Sequence, residues 1–242
     1  MSTLFADLPF DERFGAARIA GFQGVEIPFP YDHAVPDILD RLGQNDLKMV
    51  MITCPPPNYT GAERGFAAVP GQEERFRRDF TRTMRYAKAL GVKHVHVMAG
   101  AVKGPEAREV FVENLRWALE QAPKQSLTIE PMCQEEVPGY YLNNALKAGQ
   151  IVSEIGADHL GLQFDVHHIH QMHGDVLEVW DQVGPHVTHI QLAQSPHRAS
   201  PDQDGDVDIG GFLKAVKSSS YKGWISGEYM AGIKDDAHLF WL

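Results

Sequence analysis

Four polar residues stand where four short apolar runs end: Glu130 in TIEPM, Asp165 in LQFDV, Gln191 in HIQLA and Glu228 in SGEYM. A charge placed in an apolar run is costly unless it is paired or bound to a metal. Any one of the four alone fits a salt bridge or a helix cap. All four, on consecutive runs, point to one shared site. Read as neighbouring parallel strands, the runs bring their tips around one half of a barrel mouth, the end where such barrels keep their active sites. Three carboxylates and one amide oxygen form a hard-oxygen donor set, which suits Mg²⁺ or Mn²⁺ better than a thiolate-bound metal. Glu130 and Glu228 lie three strands apart, roughly 135° around an eight-stranded ring. So placed, they approach a metal-bound substrate from different sides. That arrangement serves proton transfer between adjacent carbons. The metal polarises a carbonyl and its neighbouring hydroxyl, one carboxylate removes the carbon-bound proton, and the other returns a proton next door.

The elements that must position these residues are legible as an alternation. Apolar runs occur at GVEIPF (24–29), KMVMIT (48–53), HVHVMA (94–99), LTIEPM (127–132), LGLQFDV (160–166), HIQLA (189–193) and GWISGEY (223–229). Several are rich in Val and Ile, as buried parallel strands are. Between them lie helical patterns at Pro36–Gln44, Glu73–Leu90, Arg108–Gln121, Asn144–Ile155 and Val176–Val183, with a first helix at Pro9–Ala20. Strand–helix units in strict alternation predict a parallel sheet with right-handed crossovers. Seven strands in this length favour a (β/α)₈ TIM barrel over an open doubly wound sheet, and no glycine-rich phosphate loop follows an early strand. The expectation is a single barrel domain over 1–242. Its eighth strand must come from Met1–Asp7, where only Thr3–Ala6 has the right character, so the first strand is expected to be short or missing. The barrel would then be incomplete between the strands at 24–29 and 223–229. Such an edge invites cover by the chain's own N-terminal segment or by another subunit, and the second alternative would make a homo-oligomer.

The chain has 242 residues, 43% hydrophobic and 22% charged, an ordinary globular mix. A net charge of −10 repels phosphate backbones and argues against nucleic-acid binding. No apolar run nears the roughly 20 residues of a membrane span. The N-terminus lacks the basic and long apolar stretches of a signal peptide, and the two cysteines, Cys54 and Cys133, are read as reduced. The expected location is cytoplasmic, with a small-molecule partner and no membrane.

IEPM followed by PGYYL, LQFDVHH followed by GD, HIQLA followed by P-x-R, and GWISGEY together resemble the hydroxypyruvate isomerase family, one of the xylose-isomerase-like barrels. GF-x-GVE-x-x-FPYD near the start, the GAERG loop and HVMAG strengthen the likeness, which spans essentially the whole chain. The resemblance implies a divalent ion held by Glu130, Asp165, Gln191 and Glu228, with acid and base roles for Glu130 and Glu228. It also implies that His168 stands beside the substrate and that Arg198 is the arginine after strand seven. An arginine there suits a bidentate grip on a substrate carboxylate. Arg64, in GAERGF, is a further candidate for that carboxylate, with a loop-ordering salt bridge as the alternative. The implied activity is isomerisation of a small sugar acid, hydroxypyruvate and tartronate semialdehyde or a related 2-oxo acid, through an enediolate.

Departures from the family pattern fall around the substrate. Ala199 and Ser200 replace a His-Glu pair, Cys133 replaces an asparagine, His167 a tyrosine and His170 a glutamine. Three rival readings stand beside the isomerase: a ketose 3-epimerase, a DNA-repair endonuclease of the same fold, which the charge disfavours, and a non-catalytic binding barrel. Twelve histidines are present, four of them within 167–173. They are read as solvated or supporting groups on a loop and helix start rather than as a zinc site. His94 and His96 share one face of their strand, and His189 shares that of Gln191. PPPNY (55–59) is read as a wall of the pocket, and DQDGDVD (202–208) as a solvated turn.

Overall fold

The computed structural model describes residues 1, 3–55 and 64–230. The PPPNY reading beyond Pro55 and most of the GAERG loop therefore lie outside the described residues. Seven parallel strands form one sheet in sequential order: β1 (Gly24–Glu26), β2 (Lys48–Cys54), β3 (His94–Val97), β4 (Ser126–Ile129), β5 (Leu160–Asp165), β6 (Val187–Leu192) and β7 (Trp224–Gly227). Helices α1 (Phe10–Ile19), α2 (Val35–Gln44), α3 (Glu73–Leu90), α4 (Glu106–Gln121), α5 (Ala145–Ile155), α6 (Val166–His173), α7 (Val176–Val183) and α8 (Ile209–Ser218) alternate with them. This is the TIM-barrel plan with its first strand missing. No described helix is long and apolar enough to cross a membrane.

Local chemistry sets the boundaries. Asn144, Asp165, Asp175 and Asp208 cap the starts of α5, α6, α7 and α8, each accepting a backbone N–H with its side chain. Gly91 ends α3 in the left-handed region at φ 63°, where a Cβ would be strained. α8 was not among the helices read from the sequence. Its run IGGFLKAVKS opens with two glycines, which mask the apolar period carried by Ile209, Phe212 and Val216.

The strands sort their side chains by alternation. On β5, Leu162 and Phe164 belong to the apolar layer, where Phe164 stacks on Phe212 of α8 and meets Trp180 of α7 edge-on. Gln163 and Asp165 take the other face, where Gln163 meets Gln191 of the neighbouring β6 and Asp165 meets Arg198 of the loop that follows β6. His189 and Gln191 on β6 and His94 and His96 on β3 do the same, with the His94 and His189 rings 5.6 Å apart. The enclosed face of the sheet is thus polar, and the helix-covered face is apolar.

Residues Thr3–Leu8 form turns rather than the strand sketched at Thr3–Ala6. The reason is Arg13, whose guanidinium donates to the carbonyls of Leu8, Met1 and Ala6 at 2.9, 3.0 and 2.9 Å. Carbonyls that a strand would spend on a neighbour are taken locally. The segment still covers the seam: Leu4 and Phe5 are buried, and the Met1 ammonium donates to the Glu26 carbonyl at 2.7 Å. A cavity of about 230 Å³ remains there, walled by Phe5, Phe22, Val25 and Ile225.

Candidate active site

Parallel register places Asp165 beside Gln191 at the ends of β5 and β6. Glu130 follows β4 directly and Glu228 follows β7. Glu130, Asp165 and Gln191 are buried, and Glu228 is half-buried. The three carboxylates crowd one another. Burial, then repulsion from Glu228 and Asp165, pushes the Glu130 carboxyl well above the usual carboxylate range. Burial and Asp165 push Glu228 up to about 8. Asp165 goes the other way: burial opposes its charge, but Arg198, His168 and His167 hold it below its ordinary value.

Arg198 is the hub. Its Nη1 lies 2.9 Å from Asp165 Oδ2 and donates to the Glu228 carbonyl at 3.1 Å. The Asp165 contact is a charge contact off hydrogen-bonding angle, and Oδ2 is buried without a hydrogen-bond partner. Nη2 of Arg198 stands 2.9 Å from His168 Nε2, and Nε donates to both oxygens of Glu136 at 3.0 Å. Arg198 takes a left-handed backbone, φ 49°, which a non-glycine residue adopts only at a cost. That conformation turns the guanidinium back over the strand ends.

His168 sits on the first turn of α6, its backbone N–H held by Asp165 Oδ1 at 3.2 Å. The histidines of 167–173 lie on this helix from its start, not on a preceding loop, because Asp165 both ends β5 and caps α6. One donor atom each from Glu130, Asp165 and His168 falls within 4.8 Å of the other two, a grouping able to hold a metal ion. The Asp165 oxygen left without a hydrogen bond and the mutual repulsion of the carboxylates suit a divalent cation there. Glu228 lies outside that close group, yet near enough for its charge to act on Glu130 and Arg198.

Gln191 is engaged one layer down. Its Oε1 accepts from Gln163 at 2.6 Å and its Nε2 donates to Glu26 at 2.8 Å. An amide oxygen has a second lone pair, so this does not remove Gln191 from a ligand set. Arg64 is exposed, and its charge acts on the Tyr140 phenol, which also feels Glu130. Arg64 therefore lies near enough to Tyr140 for its charge to be felt there.

Sequence reasoning passed over several residues. Glu26 ends β1 and meets His189 Nε2 at 2.5 Å. Burial opposes its charge, but His189 and Ser226 bring its carboxyl down to about 2. The signal was present, since Glu26 too is a carboxylate inside an apolar run. His96 comes within 3.5 Å of Glu130, and burial pushes it down to about 3. Glu136, exposed in the QEEVPG loop, carried no signal at all.

The sequence pattern described as xylose isomerase-like TIM barrel matches residues 14–239. The chain belongs to that family. It is 32% identical to hydroxypyruvate isomerase of Escherichia coli, over all of this chain and 96% of that one. It is 35% identical to 2-oxo-tetronate isomerase of Cupriavidus necator, over all of this chain and 95% of the relative. Among solved structures, one of an AP endonuclease, family 2, from Brucella melitensis superposes with a TM-score of 0.93 at 33% identity, covering 99% and 94% of the two chains. The two full-length isomerases bear out the hydroxypyruvate isomerase resemblance and make this family member an isomerase.

Proposed function

We propose that the chain isomerises a small sugar acid, hydroxypyruvate or a related 2-oxo acid, by moving a proton between adjacent carbons with Glu130 and Glu228. The observation that carries this reading is the pair itself. Two carboxyl groups from β4 and β7 are close enough to repel each other, and both are pushed toward the protonated form. A carboxyl whose environment favours its protonated form is suited to returning a proton as well as to taking one up. Names of the full-length relatives favour the sugar-acid class.

Glu130, Asp165, Gln191 and Glu228, joined by His168, are the residues that would hold a divalent ion, Mg²⁺ or Mn²⁺. Bound there, it would supply polarisation of a carbonyl and its neighbouring hydroxyl. Arg198 offers a substrate carboxylate its planar fork once Glu136 yields its place. His168, held between Arg198 and Glu130, orients the substrate's oxygens. Arg64 adds positive charge at the entrance. The ketose 3-epimerase alternative would use the same carboxylates on a substrate without the acid group.

Turnover in D₂O tests the reading. Product should carry deuterium at the receiving carbon, because the abstracted proton exchanges while it rests on a carboxylate. Complete retention of the substrate's own hydrogen would mean a hydride shift and would remove the two-glutamate mechanism. A panel comparing hydroxypyruvate and 2-oxo-tetronate with the matching neutral ketoses tests the substrate class. Faster turnover of the neutral ketoses would favour the epimerase.

A further inference from the structure

Beside the mouth lies a second group of ligand atoms that the proposed reaction does not use. Cys133, Glu136 and His167 each place one donor atom within 4.8 Å of the other two. We infer that these three side chains form a separate site for a soft divalent metal of the Zn²⁺ class.

The site is built from two rigid pieces. Cys133 and Glu136 share one turn, closed by the Val137 N–H donating to the Cys133 carbonyl at 3.0 Å. His167 belongs to the first turn of α6, its backbone N–H fixed on Asp165 Oδ1 at 2.8 Å. Its ring Nε2 is 2.9 Å from Glu136 Oε1. The Cys133 and His167 side chains are buried, while Glu136 is 37% exposed and opens the group to solvent. An ion therefore has an entry on one side and a dry wall on the other.

The donor chemistry separates this group from its neighbour. A thiolate, an imidazole and a carboxylate are a Zn²⁺ set, whereas the Glu130–Asp165 group is dominated by hard oxygens. Three protein ligands leave a fourth position for water or a small ligand. Burial pushes the Cys133 thiol up, against the Glu136 backbone N–H that donates to its sulfur, so it is the ion itself that must draw out the thiolate. On metal binding the thiol proton leaves to solvent, and Cys133 gives up its 3.1 Å contact with His168 Nδ1. Glu136 keeps one oxygen for Arg198 and turns a free lone pair of the other to the ion. Metal on this site thus bears on His168 and Arg198 without touching Glu130 or Glu228.

Co²⁺ added to the metal-stripped full chain is the probe. A thiolate-to-cobalt charge-transfer band in the near ultraviolet is expected. It should be lost in Cys133→Ser and persist in Cys54→Ala, the only other cysteine being buried on β2. His167→Ala should weaken Co²⁺ binding at this site by at least about tenfold. Absence of the band, or its survival in Cys133→Ser, overturns the site. Should Cys133→Ser fail to fold, Zn X-ray absorption on the unmodified chain decides: one sulfur at about 2.3 Å is expected, and a shell of nitrogen and oxygen alone refutes it. Mn²⁺ binding, followed separately by electron paramagnetic resonance, reports on the hard-oxygen group, so either site can fail while the other stands.

Discussion

Two polar layers lie one above the other inside this barrel, and they are built on opposite principles. In the lower layer both oxygens of the Glu26 carboxylate are matched. Gln163 Nε2 donates to Gln191, Gln191 donates to Glu26, and His189 pairs with the same carboxylate. Glu26 is held ionised, and burying it is affordable because its hydrogen bonds are made. In the upper layer three carboxylates share one guanidinium, and two of them are driven toward protonation. The lower layer gives the strands a fixed register across the lumen. The upper layer stores repulsion that a cation or a substrate relieves. Polar residues of the same type, one strand layer apart, thus serve stability in one place and chemistry in the other.

The sharpest way to break this contrast is Glu130→Gln. Turnover should fall by about 10²–10⁴-fold, while the urea midpoint stays level or rises, because a repelled carboxyl is removed. A clear loss of stability would place Glu130 in the structural layer. The reverse substitution, Glu26→Leu, should cost about 3 kcal/mol of stability, since it strips acceptors from His189 and Gln191; urea unfolding measures it.

Acidity separates the layers by sign. Glu26 binds its proton less readily in the fold, about 2 against 4.5, so the stability it adds is full above pH 4.5 and is lost as pH falls toward 2. Glu228 is raised from 4.5 to about 8, so its own contribution to metal-free stability should decline as pH rises through that window, against the rise contributed by buried His94 and His96. Glu26→Gln should flatten the acid limb of a stability–pH curve, and Glu228→Gln the other. A difference between metal-free wild type and Glu228→Gln that stays flat from pH 4.5 to 8 would contradict the assignment of Glu228.

Smaller effects grade the approach to the mouth. Arg198→Lys should raise KM about tenfold, a point charge replacing a fork that holds several partners at once. Arg64→Ala should raise KM only about twofold to threefold and leave kcat unchanged, as befits an exposed charge. Equal KM effects from the two would move the carboxylate site outward. Steady-state kinetics on hydroxypyruvate resolves both.

The amino-acid sequence determined the strand–helix order, because buried parallel strands must be apolar runs and the helices between them must be amphipathic. It also determined that carboxylates at the ends of β4, β5 and β7 needed a shared reason. It determined the weakness of the first strand, though not that Arg13 would hold residues 3–8 in turns. What periodicity could not decide was depth. Glu26 and Glu130 look alike in sequence, each a carboxylate closing an apolar run, yet one is matched by His189 and the other is crowded by Glu228 and Asp165. Which neighbour each meets depends on strand stagger across the lumen. The meeting of Cys133, Glu136 and His167 was equally hidden, because 31 positions separate Glu136 from His167. Only the pairing of β4 with β5 brings the two together. Electrostatic environment is a property of distances between strands, and those distances exist only once the chain has folded.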